Sequence, residues 1–306
     1  MTTKVALITG GASGMGLAVT RELSARGDWV VNILDINETA GAKIAQELPR
    51  VIFHKANVTK YGELCDAFQK SFLDGGNRLD FVFANAGVIE RTNFYAPQPP
   101  TESVAPPPEP DLLPIDADLK GVVLTTWLAQ HYFRLSPHKG RDANVVMTAS
   151  CGGLYPSFYS PLYSAAKFGV VGFMRSIAAN FRADGMRVNA ICPGIARTNL
   201  VDEKGWDSFP PNRFVKLETI TQIVLQLVDG GSPAGQGLTD TSGKSVAASK
   251  LYGLAVEISD TGFYFRDQHD FCDEGMREVM GATELDNQVD GVLNEEETVG
   301  QIRRSI

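Results

Sequence analysis

Thr9-Gly10-Gly11-Ala12-Ser13-Gly14-Met15-Gly16 is the stretch on which the fold turns. It closes a nearly continuous apolar run, residues 5–9, and opens directly onto residues 17–26, whose apolar positions recur at helical spacing. Glycines let a backbone turn tightly and come close to a pyrophosphate, while the free N–H groups and dipole of the following helix favour the anion. Gly10, Ser13, Gly14 and Gly16 are therefore expected to hold the phosphates of a dinucleotide. Asp35 stands nineteen residues past Gly16, at the end of the next apolar run. An acidic side chain there accepts hydrogen bonds from the ribose hydroxyls and repels a 2′-phosphate. The residues after it, Ile36 and Asn37, carry no positive charge, so the expected cofactor is NAD rather than NADP.

The same alternation continues outward. Strands are predicted over residues 5–9, 29–34, 51–55, 81–84, 144–148, 187–192 and 252–258. Helices are predicted over 17–26, 39–48, 61–73, 118–135, 162–182 and 219–227. Short apolar strands alternating with helices of this length define the α/β class. The expectation is a single doubly wound Rossmann domain, a seven-stranded parallel sheet flanked by helices, with ligands beyond the carboxyl ends of the strands. Three segments interrupt the rhythm. Residues 91–117 hold eight of the sixteen prolines and read as a proline-rich loop insertion. Residues 229–249, rich in Gly, Ser, Thr and Ala, read as a flexible loop. Residues 271–306 hold nine acidic and three basic residues and read as an acidic C-terminal extension to a domain spanning 1–270.

Composition excludes several classes of function. With 43% hydrophobic and 21% charged residues among 306, the chain can bury a large core. A net charge of −8 without a Lys/Arg run argues against a nucleic-acid partner. No apolar stretch approaches the roughly 20 residues that span a bilayer, so no membrane partner is expected, nor does the start of the chain read as a signal peptide. Cys65, Cys151, Cys192 and Cys272 are scattered, without CxxC spacing or a nearby histidine. They read as reduced thiols of a cytoplasmic protein rather than as a metal site.

The chemistry lies further along the chain. Tyr163 and Lys167, at i and i+4, share one helix face, and Ser150 precedes Tyr163 by thirteen residues at the end of the fifth predicted strand. An alcohol must lose a proton as its hydride leaves for a nicotinamide. A free tyrosine, with a pKa of about 10, is a poor base near neutrality. A lysine ammonium on the same face favours the phenolate and lowers that pKa, and a serine hydroxyl can hold the substrate oxygen.

With these residues in view, the chain resembles the short-chain dehydrogenase/reductase family over residues 4–265. The motifs that carry the likeness are Thr9–Gly16, Asn85-Ala86-Gly87, Ser150, Tyr163-x-x-x-Lys167 and Pro193-Gly194. The resemblance implies Tyr163 as acid/base, with Lys167 also binding the nicotinamide ribose. It implies Asn57 and Val58 beside adenine, Ile195 and Thr198 at the carboxamide, and Met15 near the pyrophosphate. Within the family it looks most similar to NAD-type members of the 15-hydroxyprostaglandin dehydrogenase and fungal 5′-hydroxyaverantin dehydrogenase kind. The segments at 116–121, 131–133 and 263–266 carry that likeness. The helices at 118–135 and 162–182 resemble the pair through which members form a homodimer or homotetramer.

The chain departs from the family pattern at Asp118, where Asn is usual, at Ala84, and at Asn57, where Asp is common. Asp118 is retained as a catalytic residue, able to hold a relay water but placing a negative charge near Lys167. Family likeness also implies a substrate lid over 199–216, with Leu200, Trp206, Phe209 and Phe214. Across from it stand Phe94 and Tyr95, and Tyr155 and Phe158 after Ser150. Such aromatics suit a hydrophobic small-molecule substrate, aromatic or polyketide-like, although they could equally pack a loop or an oligomer interface. The expected activity is NAD-dependent oxidation of a secondary alcohol to a ketone. Its alternatives are non-redox catalysis (cyclase, dehydratase or isomerase) on the same fold, and an NAD-binding sensor.

Overall fold

The computed structural model describes residues 3–97, 106–201, 203–284 and 287. Chain order runs β1 (Lys4–Thr9), α1 (Gly14–Arg26), β2 (Trp29–Asp35), α2 (Glu38–Glu47), β3 (Val51–Lys55), α3 (Tyr61–Asp74) and β4 (Phe81–Ala84). It continues through α4 (Leu113–Ile115), a π-helical turn (Asp116–Lys120), α5 (Gly121–Leu135), β5 (Asn144–Thr148), a 3-10 turn (Cys151–Gly153), α6 (Pro161–Ala183) and β6 (Arg187–Pro193). Then follow α7 (Glu203–Trp206), α8 (Leu217–Asp229), β7 (Leu238–Thr239), β8 (Ser245–Val246), β9 (Ala255–Ser259), β10 (Gly262–Arg266) and α9 (Glu274–Gly281).

The main sheet has the order β3-β2-β1-β4-β5-β6-β9-β10. Its first seven strands are parallel, which explains their continuous apolar sequences: every residue of β4, β5 and β6 is buried. Strand order reverses between β1 and β4, and the crevice beyond their carboxyl ends is where a ligand binds in such sheets. Two apolar clusters cover the two faces. One joins the sheet to Leu64, Phe68, Val122, Phe133, Val170 and Met174 of α3, α5 and α6. The other joins it to Val19, Leu23, Ile44, Ile220 and Val224 of α1, α2 and α8.

The expected seven strands become eight. Asp260 and Thr261 reverse the chain after β9, Gly262 takes a φ of 146°, and β10 returns antiparallel along the sheet edge. Phe265 is thereby buried, with Phe263 edge-on to it at 5.6 Å. The segment 229–249 contains the β7–β8 hairpin. Asp240 organises this hairpin. Its carboxylate accepts hydrogen bonds from Ser242 N, Ser242 Oγ and Lys244 N, and from Phe265 N of β10.

The last five residues of the proline-rich segment are helical. Pro114 lies in the first turn of α4, where its missing N–H costs nothing, and the helix runs through the π turn into α5. Residues 98–105 of that segment and 285–286 and 288–306 of the acidic extension lie outside the described residues. The chain divides into two compact units, Met1–Arg266 and Asp267–Ile306. In the second, Asp273 caps α9 by accepting from Met276 N at 2.7 Å.

Candidate active site

A cleft of about 630 Å³ opens at the carboxyl ends of the parallel strands. Gly10 (φ 65°) and Gly14 (φ 53°) turn the chain from β1 into α1 in left-handed conformations that suit glycine. Ser13 is the N-cap of α1 and makes no side-chain capping bond, so the first-turn N–H groups are not taken up by its hydroxyl. Gly10, Ser13, Gly14 and Met15 line the cleft, whereas Gly16 stands behind them. A Cβ on Gly16 would fall 2.2 Å from the Gly10 carbonyl oxygen, so this glycine lets the helix close on the turn.

Asp35 also lines the cleft; its Oδ2 accepts from Ala12 N at 3.1 Å and its Oδ1 from Asn37 N at 2.9 Å. These bonds tie the end of β2 to the glycine turn. Ile36, Asn57, Val58, Asn85, Ala86, Gly87, Pro193, Gly194, Ile195 and Thr198 complete the wall. Asn57 Oδ1 accepts from both N and Oγ1 of Thr59 at 3.0 Å, so its carbonyl end is engaged locally.

The strand ends are held by a network that spacing did not reveal. Thr9 Oγ1 accepts from Asn85 N and Ala86 N at 2.9 and 3.0 Å. Asn85 Nδ2 donates to Thr9 O at 3.1 Å, and Thr148 Oγ1 donates to Asn85 Oδ1 at 3.1 Å. The hydroxyls of β1 and β5 thus fix Asn85 between them.

Ser150, Tyr163, Lys167 and Asp118 meet in the cleft. Ser150 Oγ accepts from Gly152 N at 3.1 Å, which orients it at the start of the 3-10 turn. Lys167 Nζ donates to Thr148 O at 3.0 Å and lies 5.4 Å from the centre of the Tyr163 ring. Asp118 reaches the site through the π turn, a feature frequent at functional positions. Its Oδ1 accepts from Val88 N at 2.8 Å. Its Oδ2 lies 3.1 Å from Lys167 Nζ as an ion pair, off the axis of a hydrogen bond.

Burial draws the Lys167 ammonium down, but the Asp118 carboxylate and Tyr163 more than offset this and hold its pKa above the ordinary value. Burial pushes the Tyr163 phenol up; Lys167 and Ser150 oppose the rise, and Asp118 adds to it. Cys151, beside Ser150, is raised chiefly by burial, which disfavours a reactive thiolate.

On the substrate side, Leu200, Trp206 and Phe209 line the cleft. Phe214 stands behind them, edge-on to Trp206 at 5.8 Å with the Arg197 guanidinium over its ring. The other aromatics fall outside the wall. Phe94 and Tyr95 pack on each other. Tyr155 donates to Glu257 Oε2 and accepts from Arg266 Nη2, both at 3.2 Å. Phe158 is 83% exposed. Arg91, Leu113, Ser157 and Tyr159 line the cleft without having been singled out in the sequence. Among the described residues, no group of three or more His, Cys, Asp or Glu side chains could hold a metal ion.

A parallel sheet with a glycine cradle at its switch point, and a serine, tyrosine and lysine beside that cradle, defines a nucleotide-dependent oxidoreductase of the α/β class. The chain belongs to the short-chain dehydrogenase/reductase family: the family model described as short chain dehydrogenase matches residues 4–207. It is 70% identical over 282 residues to the short-chain dehydrogenase/reductase prx7 of Penicillium rubens, covering 92% of this chain and 100% of that protein. It is 32% identical over 208 residues to human 15-hydroxyprostaglandin dehydrogenase [NAD(+)], covering 65% of this chain and 70% of the relative. Among solved structures, 3-ketoacyl-(acyl-carrier-protein) reductase from Brucella melitensis, complexed with NADH, shares the fold. It superposes with a TM-score of 0.68 at 23% identity, covering 85% of this chain and 98% of the other. Levodione reductase matches with a TM-score of 0.62 at 25% identity, covering 85% and 98%.

Proposed function

We propose that this oxidoreductase uses NAD to oxidise a secondary alcohol to a ketone on a hydrophobic, aromatic or polyketide-like metabolite. The observation that carries the proposal is the convergence of Ser150, Tyr163 and Lys167 in one cleft with the glycine cradle and Asp35. The cradle fits a dinucleotide: Gly10 and Gly14 turn through positive φ, and a Cβ at Gly14 would press on Thr198 at 3.2 Å. When bound, NAD supplies a hydride acceptor. Gly10, Ser13, Gly14 and Met15 would hold its phosphates, Asp35 its adenosine ribose, Asn57 and Val58 its adenine, and Ile195 and Thr198 its carboxamide.

Ser150 Oγ holds the alcohol oxygen, Tyr163 takes its proton as phenolate, and the Lys167 ammonium stabilises that phenolate. Leu200, Trp206 and Phe209 give the apolar wall against which the substrate rests. A cytoplasmic location suits the four free thiols. NAD is favoured over NADP because a 2′-phosphate would meet the Asp35 carboxylate with no cation at Ile36 or Asn37 to receive it.

The test is NADH fluorescence during incubation with NAD and a panel of aromatic, polyketide-type and alicyclic secondary alcohols. A signal that Tyr163→Phe lowers by about 10²-fold or more supports the proposal. Asp35→Ala should narrow the ratio of NADH to NADPH affinity, and an unchanged ratio would sink the cofactor assignment.

A further inference from the structure

Helix α6 carries Tyr163 and Lys167, yet its N-terminus is not capped from its own neighbourhood. Ser160, the N-cap residue, makes no side-chain capping bond, and Pro161 opens the first turn. The N–H groups of Leu162 and Tyr163 instead donate to Glu90 Oε2 at 2.9 and 3.1 Å, from a residue 72 and 73 positions earlier. A carboxylate in that place satisfies two otherwise orphaned donors and meets the positive end of the helix dipole. The second oxygen, Oε1, is buried with no hydrogen-bond partner. Among the described residues, the first turn of α6 is what holds the carboxylate; its two bonds there offset the cost of burying that bare oxygen.

Glu90 follows directly on the Gly87-Val88-Ile89 wall of the cleft, and Val88 N is the group that donates to Asp118. One short segment after β4 thus touches both the Tyr163 backbone and the carboxylate paired with Lys167.

We propose that Glu90 is a positioning residue for Tyr163. Its side chain bridges from the segment after β4 to the first turn of α6 and sets where the Tyr163 backbone stands, hence how the phenol meets Ser150 and Lys167. The proposal rests on the acid–base reading of Tyr163 given above. Reach, rather than charge, is the property that matters. Glu90→Gln keeps an accepting oxygen at the same reach; Glu90→Asp keeps the charge but falls short by one methylene, about 1.5 Å.

Protein labelled with ¹³C at tyrosine Cζ and loaded with NAD reports the protonation of Tyr163 without any substrate, and Tyr163→Phe assigns its resonance. Glu90→Gln should titrate within about 0.2 unit of the unsubstituted protein, and Glu90→Asp about 0.5 unit or more higher, as the phenol drifts from the ammonium. With an alcohol that turns over, Glu90→Asp should lose about tenfold in kcat while KM for NAD stays within about twofold, and Glu90→Gln should keep kcat within about threefold. A folded Glu90→Asp with unchanged midpoint and rate overturns the proposal. So do equal losses in both variants, or failure of Glu90→Asp alone to fold, which mark a contribution to stability only. A fully active Tyr163→Phe would instead overturn the acid–base reading, and is recognised separately because it does not involve Glu90.

Discussion

A carboxylate 3.1 Å from the Lys167 ammonium competes with Tyr163 for the same positive charge. Burial raises the phenol's pKa, Lys167 opposes the rise and Asp118 adds to it; burial also draws the Asp118 carboxyl up, against the pull of Lys167 and of Val88 N. Asp118→Asn removes the opposing charge, so the phenolate forms at lower pH. The limb of the oxidation rate that rises with pH should move down by about 0.5–1 unit. A limb that stays in place would remove Asp118 from the electrostatics of the site. Gly16→Ala should act differently. Its methyl meets the Gly10 carbonyl, the cradle must open, and NAD binding measured by calorimetry should weaken about tenfold or more. At this scale the trio was legible because Tyr163 and Lys167 share one helix face and Ser150 ends a strand, both local patterns. Thr148 and Glu90 were not legible. Their bonds to Lys167 and Tyr163 exist only after segments 19 and 73 positions apart have met.

Among the elements, the β7–β8 hairpin and β10 depend on one another through Asp240. Burial pushes this carboxyl up, but its hydrogen bonds to Ser242, Phe265 and Lys244 more than offset that and hold it below the ordinary range. Asp240→Ala should cost about 1–3 kcal/mol in urea unfolding. Because the folded pKa is the lower one, the stabilisation is present above the unfolded value of about 3.9 and is lost as pH falls through the folded value. The variant should therefore show a shallower loss of stability below about pH 4 than the unsubstituted protein. An identical acid profile would contradict this account of the hairpin. The parallel strands were legible from their continuous apolar runs, whereas β10 was not. Only Phe265 of its five residues is buried, at a sheet edge, and a two-residue turn decides their direction. The π turn was equally hidden, because an extra residue in a helix leaves no mark in composition, although it is what carries Asp118 inward.

For the whole molecule, α5 and α6 leave Trp127 64% and Phe168 45% exposed. Exposed aromatics of this size suit an interface between copies of the chain, and a homodimer through these helices is the arrangement we propose. Trp127→Asp should convert a dimer to a monomer by light scattering; a monomeric unsubstituted protein would contradict it. The proposed activity requires hydride to leave an alcohol carbon while Tyr163 takes the hydroxyl proton. The most direct measurement follows the label: a secondary alcohol deuterated at its carbinol carbon is incubated with NAD, and the cofactor is weighed by mass spectrometry. Singly deuterated NADH is expected with the unsubstituted protein and none with Tyr163→Phe. A product formed without deuterium reaching the cofactor would contradict the proposed activity and point to non-redox chemistry in the same cleft.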